Sequence, residues 1–68
     1  MPTNLENFIQ AKKHHKNGNI EKAIKIYERL SKNINSDSKL FFYLGTAYLQ
    51  IKRFKEALHN FKEAIRLD

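Results

Sequence analysis

Five consecutive residues, Lys12-Lys13-His14-His15-Lys16, gather three ammonium groups and two imidazoles into the most chemically conspicuous stretch of the chain. Lysine holds phosphate or carboxylate as a point charge, and histidine, titrating near neutrality, serves as a metal ligand or proton carrier. A metal site is not expected. Neighbouring histidines on a helix point about 100° apart and cannot close on one ion as an i,i+4 pair does. The chain has no cysteine, and no acidic residue stands beside the run to complete a ligand set. The plainer reading is a cationic helix end, where each positive charge meets the helix macrodipole with about 0.3–1 kcal/mol of stabilisation. Catalytic chemistry finds no footing either. Gly18 and Gly45 stand alone, and nucleophile elbow, phosphate loop, paired carboxylates and His-Glu-x-x-His spacing are all missing from the sequence. Ser31, Ser36 and Ser38 fall in helix-end or linker contexts and read as caps. No catalytic residue, metal ligand or cofactor is expected.

The elements that must carry this run are bounded by length. The chain of 68 residues allows one small domain, and at that size a single core rarely supplies more than about 3–5 kcal/mol. Without cysteine, packing or assembly has to hold it. Met1 to Gln10 has neither a basic leader with an apolar core nor a cleavage site, and the longest apolar run, Leu40 to Gly45, is far too short to span a membrane. A soluble, cytoplasmic chain with no membrane contact is the expectation. The formal charge of +6 favours anionic partners. Much of it nevertheless reads as solvated helix surface: Lys22, Lys25, Arg29, Lys32, Lys52, Lys55, Lys62 and Arg66 are interleaved with Glu21, Glu28, Glu56 and Glu63. Glu21–Lys25 and Glu28–Lys32 have the favourable i,i+4 order, worth about 0.2–0.5 kcal/mol each.

Sliding the chain on itself by 34 residues superposes Ile20 on Phe54, Ala23 on Ala57, Ile24 on Leu58, Tyr27 on Phe61 and Leu30 on Ala64. The i, i+3, i+4, i+7 stripe written twice is helical. A further helical segment precedes each stripe, giving helices at about 4–16, 20–33, 38–51 and 54–67. Asn17-Gly18-Asn19 ends the first, with Gly18 suited to the left-handed conformation and Asn19 placed to cap the second. Asn35-Ser36-Asp37-Ser38 separates the repeats and offers cap oxygens to the third. The turn at Lys52-Arg53 lacks glycine and is placed by the change of apolar phase. The small residues Ala11, Ala23, Gly45, Ala57 and Ala64 let helices approach, with Phe41, Leu44, Tyr48, Phe54 and Phe61 filling the space beside them.

These residues resemble the tetratricopeptide repeat family. The second repeat carries its Leu-Gly pair as Leu44-Gly45, its tyrosine as Tyr48, and its Ala, aromatic, Ala series as Ala57, Phe61 and Ala64, with Phe41 where tryptophan is usual. The first repeat departs more: Ala11, Ala23 and Tyr27 fit, but Asn7 takes the aromatic place, Gln10 the leucine, His14 the tyrosine and Leu30 the second small residue. The proline that commonly closes a repeat is absent from both. The resemblance implies an all-α fold of two helix-turn-helix hairpins, four antiparallel helices stacked as a short right-handed solenoid. One domain, 1–68, holds repeat one (about 4–37) and repeat two (about 38–68).

It also implies a non-catalytic protein-binding scaffold whose first and third helices line a concave groove for a peptide or helix segment. Lys12, His15 and Lys16, with Lys39, Phe42, Tyr43, Thr46, Leu49 and Gln50, match the groove-facing places. An apolar patch from Phe42 and Leu49, rimmed by Lys12, Lys16 and Lys39, would engage an acidic or C-terminal peptide. The third helix is apolar on more faces than one core needs, which supports a further contact; Phe42 and Tyr43 packing against the preceding repeat is the alternative. The family's carboxylate clamp for chaperone tails is not matched, because Phe8, Lys12 and Tyr43 occupy its places. Single-stranded nucleic acid, which takes cations interleaved with aromatics, is a lesser expectation, since most of the charge points elsewhere. With Asp68 as the last residue, Leu58, Phe61 and Ile65 are expected to be left partly uncovered where a next helix would pack. Either copies of the chain cover one another, giving a homo-oligomer through helix four, or the chain is the front module of a larger protein such as a transferase.

Overall fold

The computed structural model describes residues 2–35 and 37–68. The cap expected from Ser36 lies outside them. Four helices follow one another: α1 (Asn4–Lys16), α2 (Ile20–Asn33), α3 (Ser38–Gln50) and α4 (Phe54–Leu67). They agree with the helices expected from periodicity, α3 ending one residue earlier. Packing joins α1 to α2, α3 to α4, and α2 to α3, so two hairpins stack through the second helix of one and the first of the next.

The starts of α1 and α3 are fixed by side-chain caps. Thr3 and Glu6 form a capping box: the Thr3 hydroxyl accepts from the Glu6 N–H at 3.1 Å, and the Glu6 carboxylate accepts from the Thr3 N–H at 3.0 Å. Those bonds hold the exposed Glu6 carboxyl below its ordinary range, the backbone one contributing most. Asp37 caps α3 by accepting from the Lys39 N–H at 2.9 Å. Asn19 occupies the cap position of α2, yet its side chain makes no capping bond. Ser31 is no cap either; its hydroxyl donates to the Glu28 carbonyl within α2.

The two hairpin turns are built alike. Gly18 takes φ +85° and Lys52, 34 residues on, takes φ +64°. The Asn19 N–H donates to the His14 carbonyl at 2.8 Å, and the Arg53 N–H to the Tyr48 carbonyl at 2.9 Å. A left-handed residue thus closes both turns, and in the second a lysine does what glycine does in the first.

The core is a thin sheet of side chains between helices, in a molecule of 31 × 25 × 15 Å. Ala11, Ala23, Ala47 and Ala57 permit close crossings, and Tyr27, Leu30, Leu40 and Leu44 fill the gaps. Gly45 allows the tightest approach: a Cβ there would lie 2.7 Å from Phe61 Cδ1. Phe54, expected to pack inside, is exposed instead, because α4 has no neighbour on that side among the described residues. The Tyr48 hydroxyl donates to the Glu28 carboxylate and pins α3 to α2. Burial, reinforced by that carboxylate, pushes the Tyr48 phenol up to about 12. Glu28 is therefore committed to Tyr48, and the ion pairs among the described residues are Arg53–Glu56 and Arg66–Glu63 rather than the expected i,i+4 pairs of α2.

Candidate binding groove

The open face of the molecule is a groove floored by α1 and α3 and closed at one end by the last turns of α4. Its larger lobe, about 890 Å³, lies between Leu5, Phe8 and Ile9 of α1, Phe42 and Tyr43 of α3, and Phe61 and Ile65 of α4, with Lys12, Lys39 and Asp68 at its margin. A smaller lobe of about 540 Å³ continues along α1 past Lys12, Lys13, His15 and Lys16, facing Tyr27 and Thr46. Ile9, Lys12, Phe42 and Tyr43 line both lobes and form the waist.

Aromatic packing fixes the floor. Tyr27, fully buried, meets the edge of Phe8 at 6.0 Å and stacks on Tyr43 at 6.2 Å with an interplanar angle of 16°. Phe8 also meets Tyr43 edge-on at 5.6 Å. Such contacts contribute about 0.5–1.5 kcal/mol each beyond the area they bury. Burial, together with the neighbouring Tyr43, pushes the Tyr27 phenol up to about 12. Lys12 sits above this floor, its ammonium 5.6 Å from the Phe8 ring centre and 5.1 Å from that of Tyr43, within cation–π range.

The nine residues expected to face a partner separate into three groups. Lys12, Lys16, Lys39, Phe42, Tyr43 and Thr46 line the groove, although Tyr43 does so from within the floor and Thr46 donates its hydroxyl to the Phe42 carbonyl. The alternatives for Phe42 and Tyr43 therefore divide: Tyr43 packs on repeat one, while Phe42 remains 55% exposed. His15 and Gln50 are engaged with each other, His15 Nε2 lying 2.6 Å from Gln50 Oε1 and Nδ1 3.2 Å from the Tyr27 hydroxyl. The amide oxygen only accepts, so Nε2 carries the proton; in the neutral ring Nδ1 then accepts from Tyr27. His15 is a strut between helices α1, α2 and α3. Leu49 is exposed but lines neither lobe, so the patch expected from Phe42 and Leu49 is not one surface of the groove.

Leu5, Ile9 and Lys13, together with Ile65 from α4, line the groove without having been singled out for it. Leu5 and Ile9 are an i,i+4 apolar pair on the first turns of α1, a pattern the sequence does display. Of the residues expected to associate on α4, Leu58 and Ile65 are exposed, whereas Phe61 is half-buried over Gly45 and beside Phe42, at 5.9 Å between ring centres. Among the described residues no group of three or more histidine, aspartate or glutamate side chains is placed to hold a metal ion. None of the described helices is long and apolar enough to cross a membrane.

The sequence model of the tetratricopeptide repeat family matches residues 38–68, the whole of the second hairpin. No curated protein and no solved structure matches the chain. Repeats of this family typically serve as non-catalytic modules for protein–protein interaction. Four helices folded as two stacked hairpins, the second of them matched by the family's model, fit a tetratricopeptide-like repeat family.

Proposed function

We propose that the chain is a binding scaffold that holds a peptide or helix segment of a protein partner in the α1–α3 groove. The observation that carries this reading is the exposure of four large apolar side chains, Leu5, Ile9, Phe42 and Ile65, around a single concavity. Scattered apolar residues are ordinary on a surface, but a contiguous patch rimmed by charge marks a contact site. The rim here is Lys12 and Lys39, which suits a partner with carboxylates. Peptides selected from a random library on the immobilised chain should lose about 2 kcal/mol of affinity with Phe42→Ala, as central aromatic anchors do. Leu49→Ala, at a position that is also exposed but outside the groove, should change little. Equal losses from both substitutions, or no selection at all, would remove the groove from consideration.

Self-association through α4 is a second reading, supported by the exposure of Phe54, Leu58 and Ile65 along one helix. Their counterparts in repeat one, 34 residues earlier, are Ile20, Ile24 and Ser31, which are buried or half-buried where α3 packs on α2. On this reading the same face of α4 is the one that a second copy covers.

A further inference from the structure

The carboxylates, though not the cations, are divided between the helices of each hairpin. Glu21, Glu28, Glu56 and Glu63 all lie on α2 and α4, whereas α1 and α3 carry Lys12, Lys13, Lys16 and Lys39 with Glu6 as their single carboxylate, spent in the capping box. The groove inherits this division. Among the described residues no acidic side chain lines the smaller lobe, which Lys12, Lys13 and Lys16 line, while the exposed apolar residues Leu5, Phe42 and Ile65 line the larger one together with Lys12, Lys39 and Asp68. His15, in the smaller lobe, has both ring nitrogens occupied and leaves recognition to the lysines.

Building on the groove reading, we infer that the partner is a segment of two adjoining blocks, a run of carboxylates seated on Lys13 and Lys16 and a run of apolar side chains seated on Leu5, Ile9 and Ile65. Carboxylates pushed deep into the larger lobe, past the Lys12 and Lys39 rim, would lose water against apolar walls and approach Asp68. Apolar groups over the smaller lobe would in turn strip water from three ammonium groups. From Leu5 to Lys16 the groove runs about 17 Å at the helical rise, a span that an extended peptide crosses in about five residues and a helix in about eleven. A twelve-residue segment therefore reaches both lobes in either conformation.

Two labelled twelve-residue peptides of identical composition, six leucines and six glutamates, test the inference by fluorescence anisotropy. In one the glutamates form a single block, and in the other they alternate in pairs with leucine. The blocked peptide should bind about tenfold or more tighter than the alternating one. Lys13→Ala with Lys16→Ala should weaken it about three- to tenfold and flatten its dependence on salt, whereas Leu5→Ser with Ile65→Ser should weaken it without altering that dependence. All four side chains are exposed in the single chain, so at dilutions that keep it monomeric the variants should retain the wild-type circular dichroism spectrum and melting profile. Equal binding of both peptides, still sensitive to Phe42→Ala, would overturn the two-block inference and leave the groove standing. Binding of neither peptide would sink this inference, and the library selection would then judge the groove separately. A short single-stranded RNA that outcompetes the blocked peptide would also overturn it, making the lysines a phosphate track.

Discussion

Where Phe61 lies over Gly45 the second hairpin has no room for a side chain. A Cβ on Gly45 would come within 2.8 Å of two carbons of the Phe61 ring. The equivalent pair in the first hairpin is Ala11 and Tyr27, both fully buried, so the crossing there accommodates a methyl group. Two opposed effects decide what Gly45→Ala does. Alanine gains about 1 kcal/mol of helix propensity over glycine, while overpacking a formed contact costs about 1–3 kcal/mol. Phe61 also packs beside Phe42, with ring centres 5.9 Å apart, so the packing term should win and the variant should be about 1 kcal/mol less stable. The measurement is the urea midpoint at unchanged slope. A raised midpoint would show that the Phe61 ring swings freely into the groove beside it, and that this wall is adjustable rather than fixed.

The two turns show how a helix boundary can be right while its mechanism is hidden. Gly18 announces a left-handed residue, and the structure has one there; Lys52 announces nothing, and φ +64° places it in the same conformation. A non-glycine residue in that region costs about 1–2 kcal/mol through the crowding of Cβ against the backbone. Lys52→Gly should therefore stabilise the chain by about 0.5–1 kcal/mol, the remainder being lost to the freedom glycine gains in the unfolded state. Matched thermal melts of the two forms check this, and a destabilised variant would mean that the turn does not rely on that conformation. The helices themselves were legible because the apolar stripes of α2 and α4 repeat with one period and one register. The groove was only partly so. Periodicity cannot choose a face for α3, where apolar residues occupy every side; hence Leu49 was grouped with Phe42 although it lies outside both lobes. His15 looked available because its tie to Gln50 spans 35 positions, a contact no local pattern contains. Leu5 and Ile9 were visible as a pair, but their value depends on α4 returning Ile65 to the same concavity, which only the stacking of hairpins brings about.

At the scale of the whole molecule the repeat itself restricts how copies could meet. In the first hairpin Tyr27 is covered by Tyr43, and the Tyr48 hydroxyl reaches Glu28, so α3 seals α2. For α1 of a second copy to seal α4 in the same manner, it would have to offer the residues 34 positions before Leu40, Tyr43, Ala47 and Tyr48. Those are Glu6, Ile9, Lys13 and His14, and pressing them onto Leu58 and Phe61 would bury a carboxylate and an ammonium against apolar surface. Head-to-tail stacking, which would propagate into filaments, is disfavoured on that ground. On the self-association reading, the exposed α4 stripe of Phe54, Leu58 and Ile65 would instead meet its own copy, so association should be two-fold and closed, α4 against α4. Sedimentation at tens of micromolar is expected to give twice the 8.1 kDa chain mass and nothing larger. Leu58 is already 55% exposed in the single chain, so Leu58→Glu should return the monomer with its helical spectrum and its unfolding transition intact. Species that keep growing with concentration would point to the head-to-tail contact, and a wild-type monomer at every concentration would exclude association through α4 altogether.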